Sequence, residues 1–247
     1  MEVRGRRECK ACGAEWSYFE TGSVECPECG SVVSVGVGER REHTDHAADL
    51  DLGEVLAARG ERDVRAGSAD GERGGDIVLA AEAAEEAARA YLRERGFVRG
   101  GELLDLDDTY LAAAELRFVA GTLARRTDVS EGEEAYFESL VSAAADGERP
   151  DASEVPDSLR DSRGLGYANA VRDYRQELRE WGEETGRGLR DVLESLGDHV
   201  KRVRALDGDV GVEESEALVS AARAAADAAR GDESGVERAR DALSALA

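Results

Sequence analysis

Lysine is nearly missing from this chain of 247 residues: only Lys10 and Lys201 are present, against 30 arginines. Aromatics make up 5%, and there are three histidines, three prolines and one methionine. The longest uninterrupted apolar runs, 77–81 and 110–114, are five residues each. A membrane-spanning helix needs about 20, so no membrane partner is expected. The start, MEVRGRRECK, has no apolar stretch behind its basic residues, so no secretory signal is expected and the chain reads as cytoplasmic. With His43, His46 and His199 as the whole histidine supply, serine or cysteine nucleophiles have no plausible base partner. An enzyme is not expected.

What is abundant is carboxylate and alanine. Asp and Glu number 55 against 32 Lys and Arg, a formal net charge of −23, and 40 residues are alanine. The 41% hydrophobic content therefore implies a core built by close approach of helices. Acids alternate with arginine and apolar residues at helical spacing, which argues against a disordered acidic tail. Dense surface carboxylate with little lysine resembles the proteins of salt-loving archaea, where molar salt shortens the Debye length to about 3 Å.

The charge is unevenly spread. Residues 1–41 hold six basic and seven acidic side chains, net −1, so the remaining 206 residues carry −22. Leu50, Leu52, Val55 and Leu56 suggest one short helix, and residues 60–75, GERDVRAGSADGERGG, read as a glycine-rich flexible linker. The expected division is a ribbon over 1–41, a short helix and linker over 42–75, and an acidic helical bundle over 76–247.

Within the bundle, Ile77, Ala80, Ala81, Ala84, Ala88, Tyr91 and Leu92 form a first stripe between an N-cap at Asp76 and a stop at Gly96. Asp107 or Asp108 caps a second helix, and Ser130 with Glu133 forms a capping box for a third. A loop with Pro150 and Pro156 covers 147–164. Tyr167, Val171, Tyr174, Leu178 and Trp181 then step in a heptad-like seam that resumes through Leu189, Val192, Leu196, Val200 and Val203. If continuous, this helix is a rod of about 60 Å; Gly182, Gly186 and Gly188 favour a kink or break. Helices over 213–230 and 235–246 follow, the last with a capping box at Ser234 and Glu237. The fold class is mainly α: a small N-terminal β zinc ribbon, then an all-α bundle with one long helix.

The strongest motif is Cys9-Lys-Ala-Cys12-Gly, thirteen intervening residues, and Cys26-Pro-Glu-Cys29-Gly. Each C-x2-C places two sulfurs on one turn, and Gly13 and Gly30 supply the left-handed backbone such a turn needs. Two facing turns give four thiolates in a tetrahedron, which suits one structural Zn2+ held by Cys9, Cys12, Cys26 and Cys29. Trp16, Tyr18 and Phe19 with Val24 suggest a hairpin, and Val32, Val33, Val35 and Val37 a further strand. Iron in the same knuckles, as in rubredoxin, is the less favoured cofactor. A di-iron bundle is ruled out, since no Glu-x-x-His exists.

At these residues the chain resembles the zinc ribbons, in particular the transcription-factor-IIB-type ribbon, and its whole layout is similar to a haloarchaeal family described by that ribbon. The resemblance covers about 30 residues. It implies a metal and a link to transcription, but the duplicated cyclin-like repeats of the general factor are missing, so polymerase binding does not carry over.

Weaker candidates have plainer readings. His43 and His46 form H-x2-H beside Asp45 and Asp49 and read as solvated linker; His199 reads as a partly buried helix residue. Asp105, Asp107 and Asp108 read as helix capping rather than a cation cluster. The expected function is a non-catalytic zinc-binding interaction module. A protein partner is expected, and nucleic acid is possible through a ribbon surface bearing Arg4, Arg6, Arg7, Lys10, Arg40 and Arg41. The rival readings are a helical scaffold that self-associates through residues 167–203 and a one-iron electron carrier.

Overall fold

The computed structural model describes residues 1–46, 48–57, 73–182 and 186–246. The chain divides into two compact units: Met1–Asp49 with Arg93–Asp105, and Leu50–Leu92 with Leu106–Ala247.

The first unit is built on an antiparallel sheet of β1 (Glu2–Cys9), β2 (Glu15–Ser17) and β3 (Ser34–Glu42), in the order β2-β1-β3. The central strand, β1, is not the one the hydrophobic pattern points to, because Val3 is its only β-branched residue. Pairing on both edges orders it instead, with Arg7 opposite Trp16 on one side and Gly36 on the other. The expected hairpin through Tyr18, Phe19 and Val24 does not form. After β2 the chain turns into a short helix, α1 (Tyr18–Thr21), closed by Gly22 in the left-handed region. That turn delivers Phe19 onto Gly5: a Cβ there would lie 2.0 Å from the ring. Val35 and Val37 lie in β3, whereas Val32 and Val33 precede it and are exposed.

The linker expected from residue 42 also differs, since His43 and Asp45 are buried. A two-stranded hairpin, β4 (Val98–Arg99) with β5 (Glu102–Leu103), accounts for this. The amides of Thr44 and Asp45 both donate to Val98 O, and Gly101 N donates to Glu42 O. Two segments fifty residues apart are thus joined through backbone groups, to which the Thr44 hydroxyl and the Asp45 carboxylate add contacts with Val98 N and Arg99. The described part of the expected short helix, α2, covers 53–57. Most of the expected glycine-rich linker, 58–72, lies outside the described residues.

In the second unit α3 runs Arg73–Glu94, starting nearly a turn before Asp76 and ending before Gly96 as expected. It is followed by α4 (Asp108–Leu123), capped by Asp107 through Tyr110 N, and α5 (Glu131–Ala145), which opens on the Ser130–Glu133 capping box. The capping box expected at Ser234 does not form: its hydroxyl donates to Asp232 instead of receiving an amide. The long seam is split into α6 (Arg160–Trp181) and α7 (Arg187–Ala205), which pack against each other, so no single 60 Å rod exists. The last helices are α8 (Val212–Ala229) and α9 (Gly235–Ser244). Among the described residues, no helix is long and apolar enough to cross a membrane.

Alanine sets the packing. Ala80, Ala81, Ala84 and Ala88 of α3 lie in one cluster with Leu116, Val119, Ala120 and Leu123 of α4 and Phe137, Leu140 and Val141 of α5. Helix α6 begins a turn earlier than expected because Gly164 and Gly166 are not loop residues. A Cβ on Gly166 would lie 2.8 Å from Ala114 O, so the missing side chain allows α6 to touch the backbone of α4. Tyr167, Val171, Tyr174 and Leu178 are buried inside this unit. The stripe expected to face a second chain is spent within this one.

Candidate metal centre

The two cysteine turns are near copies of each other. Gly13 N donates to Cys9 O at 3.0 Å and Gly30 N to Cys26 O at 2.9 Å. Cys9 N and Cys26 N in turn donate to Ala14 O and Ser31 O, five residues on in each case. Gly13 and Gly30 have φ of 80° and 70°, where a side chain would be strained. The first turn starts at the end of β1, and Lys10 N ties it to the segment before β3 by donating to Val33 O at 2.9 Å. The indole of Trp16 packs with Cys9 and Cys26 and donates from Nε1 to Ser23 O at 3.0 Å.

These turns bring all four sulfurs within 4.8 Å of one another. Cys9 Sγ and Cys29 Sγ are 3.7 Å apart, and Cys12 Sγ and Cys26 Sγ 3.6 Å. A disulfide would require about 2.05 Å. A tetrahedron with metal–sulfur bonds of about 2.3 Å has edges of about 3.8 Å. The sulfur spacing therefore fits a four-thiolate metal site, and the cysteines expected from sequence are the ones brought together. Cys9 and Cys26 are buried while Cys12 and Cys29 face outward, so the site has a covered and an open side. Without a cation the thiols do not titrate alike. The backbone amide of Cys12 helps draw the Cys9 thiol down to about 6, with Ala11 N donating to its sulfur. The amide of Ala14 favours the Cys12 thiolate too, but the neighbouring sulfurs outweigh it and push that thiol up to about 12. Holding four thiolates together requires a compensating positive charge.

A family model described as a family of unknown function, DUF7117, matches residues 1–243. The chain belongs to that family. No curated protein and no solved structure matches it. The DUF7117 match covers the cysteine turns and the helices together.

The other candidates in this DUF7117 chain resolve differently. The rings of His43 and His46 are 6.3 Å apart, but His43 lies under Phe19 and Tyr18, with burial holding its pKa below the usual histidine value. Asp45 between them is gripped by Arg95 at 2.6 Å and by Arg99 at 2.6 Å. Among the described residues only the four cysteines form a cluster able to hold a metal. Asp107 caps α4, while Asp108 receives Arg149 at 3.0 Å and Arg223 at 2.7 Å, so arginine stands where a cation would. His199 is half-buried on α7.

Sequence reasoning missed a polar network inside the bundle. Arg163 of α6 and Glu115 of α4 are fully buried and paired at 3.0 Å. The Tyr136 hydroxyl donates to Glu115, and Arg163 also donates to Tyr136 Oη at 3.1 Å and to Pro150 O at 2.9 Å. Arg149 extends the chain of contacts to Glu216 and to the Tyr167 hydroxyl. Glu115 falls among the buried apolar residues Leu111, Ala112, Leu116 and Val119 of α4, and a charge at that position was the one signal in the sequence.

Proposed function

We propose that this protein is a non-catalytic interaction module in which Cys9, Cys12, Cys26 and Cys29 hold one structural Zn2+. The observation that carries the reading is the sulfur spacing, which matches the edge of a closed four-thiolate tetrahedron and leaves no position for a substrate. Thiols kept free for metal fit a reducing, cytoplasmic setting, and the carboxylate excess fits concentrated salt.

The contact surface is the ribbon itself. Val24, Val32, Val33 and Val35 are exposed around the second knuckle, an unusual concentration of apolar side chains on so small a unit. Arg40 and Arg41 are exposed on β3, and Arg41, Arg6, Trp16 and Phe19 line a cavity of about 650 Å³. Arg6 and Lys10 are partly balanced by Glu15 and Glu8. The exposed valines suit a protein of the transcription apparatus, since apolar contact holds in concentrated salt. The haloarchaeal, transcription-type ribbon resemblance points the same way. The scaffold reading is weaker because the 167–203 seam is buried within the chain.

Metal analysis and amide spectra test the assignment together. One equivalent of zinc in a colourless protein, lost on chelation along with the amide dispersion of residues 9–34, is the expected result. A red protein carrying iron would favour the electron-carrier reading. A Cys26→Ser variant that kept full zinc and unchanged ribbon amides would refute the four-cysteine site. A pull-down in native high salt with the zinc-loaded chain, repeated with Val32→Asp, tests the surface; equal capture by both would exclude the valine patch.

A further inference from the structure

The acidic bundle contains one cleft whose charge is inverted. Between α6 and α7 lies a cavity of about 1070 Å³ whose described lining includes Arg172, Arg175, Arg179, Arg190 and Lys201, with Glu180 and Glu194 as its acidic residues. The first three cations recur at i, i+3 and i+7 on α6, so they share one face. Arg190 and Lys201 are eleven residues apart on α7, which spreads the positive lining over about 16 Å.

Three features distinguish this cleft from a solvated helix surface. Arg175 is held in place: its Nε donates to Leu193 O at 2.5 Å, and it lies against Gly197, where a Cβ would come within 2.6 Å of the guanidinium carbon. Among the described residues no carboxylate pairs with Arg175, Arg179 or Arg190 at ion-pair distance, although 55 acids are available to the chain. Burial and the neighbouring Arg179 push the Arg175 pKa down, and Asp198 only partly offsets them. Helix α7 also opens with no acidic residue in its first turn, leaving its positive end uncompensated.

We propose that the α6–α7 cleft binds an elongated polyanion carrying phosphate groups. Arg172 and Lys201 are paired with Asp173 and Asp198, which leaves Arg175, Arg179 and Arg190 as a row of guanidinium groups able to match phosphate oxygens pairwise. Leu193 is the one apolar side chain in the lining and no aromatic ring takes part, so recognition centres on the phosphate chain rather than on a base.

Calorimetric titration of the full chain with tripolyphosphate, at the lowest NaCl concentration that keeps native circular dichroism, tests this. ATP and citrate are run at matched ionic strength. The expected result is saturable 1:1 binding of tripolyphosphate that weakens at least tenfold in Arg179→Gln/Arg190→Gln. Both residues are exposed, so the fold should survive; Arg187→Gln, outside the lining, should bind like the parent. ATP binding as tightly as or more weakly than tripolyphosphate identifies the free chain as the ligand type, and tighter binding identifies a nucleotide; either supports the site if the double variant abolishes it. Absent binding, citrate binding as tight as tripolyphosphate, or an unaffected double variant would overturn the proposal.

Discussion

Removing the Arg163 guanidinium should destabilise the helical unit more than any surface substitution of the same residue type. Arg163→Met keeps the length of the side chain and discards five hydrogen-bond donors. What remains is Glu115, fully buried and left with the Tyr136 hydroxyl. Pro150 O loses its donor as well. Breaking a buried pair by deleting one partner costs about 3–5 kcal/mol, because a charge is stranded away from water. For a chain of this size each kcal/mol moves the midpoint by about 2–4 °C, so a fall of about 10 °C is expected. The double variant Arg163→Met/Glu115→Met removes both charges and should recover at least half of that loss. Denaturant unfolding of the three variants at fixed salt, completed as a double-mutant cycle, measures the coupling directly. The loss should persist from 0.5 to 3 M NaCl, since a pair with no exposure is hardly screened. A single variant within about 1 kcal/mol of the parent, or a double variant whose cost is the sum of the two singles, would refute the reasoning.

Two further outcomes rest on other contacts. Glu133 closes the α5 capping box; although burial opposes its charge, the Ser158 hydroxyl and the Ser130 amide and hydroxyl hold its carboxyl down at about 2. A depressed carboxylate contributes stability above its unfolded value of about 4.3 that is lost as pH falls toward 2, so Glu133→Gln should flatten the unfolding free energy against pH between about 5 and 2, and an unchanged slope would exclude the cap as its source. Gly166→Val would drive a side chain into Ala114 O and should cost about 1–3 kcal/mol in chemical unfolding, whereas Gly132→Ala, with nothing within 4 Å, should be neutral or stabilising.

The cysteine cluster was legible because its signal is local: spacing within each turn, a glycine after it, and four cysteines gathered in one short segment. Helices were legible for the same reason, since stripe and cap lie within a few residues of each other, as at Ser130 and Asp107. Three things were not. Strand β1 owes its order to two partners rather than to its own side chains. The hairpin of β4 and β5 is tied to residues 42–45 by backbone groups and by the Asp45–Arg99 pair, whose partners are 54 residues apart. Gly164 read as the end of a loop, yet it and Gly166 are each where another backbone passes within contact distance. In all three cases the deciding partner is distant in sequence, and periodicity has no access to it.

The scarcity of lysine finds its reason in these contacts. Arg163 reaches Glu115, Tyr136, Pro150 and Glu216 at once, Arg149 reaches Asp108, Glu216 and Tyr167, and Arg223 joins Leu106 O to Asp108. Each connection needs a planar group with donors at fixed angles, which an ammonium on a flexible stem does not provide. Lys10 and Lys201, by contrast, pair singly with Glu8 and Asp198 on the surface. Salt screens that kind of pair and leaves the buried, multiply bonded arginines nearly untouched. Three arginines of the α6–α7 cleft depart from this pattern: Arg175, Arg179 and Arg190 have no carboxylate partner among the described residues, and an anion is what that arrangement lacks.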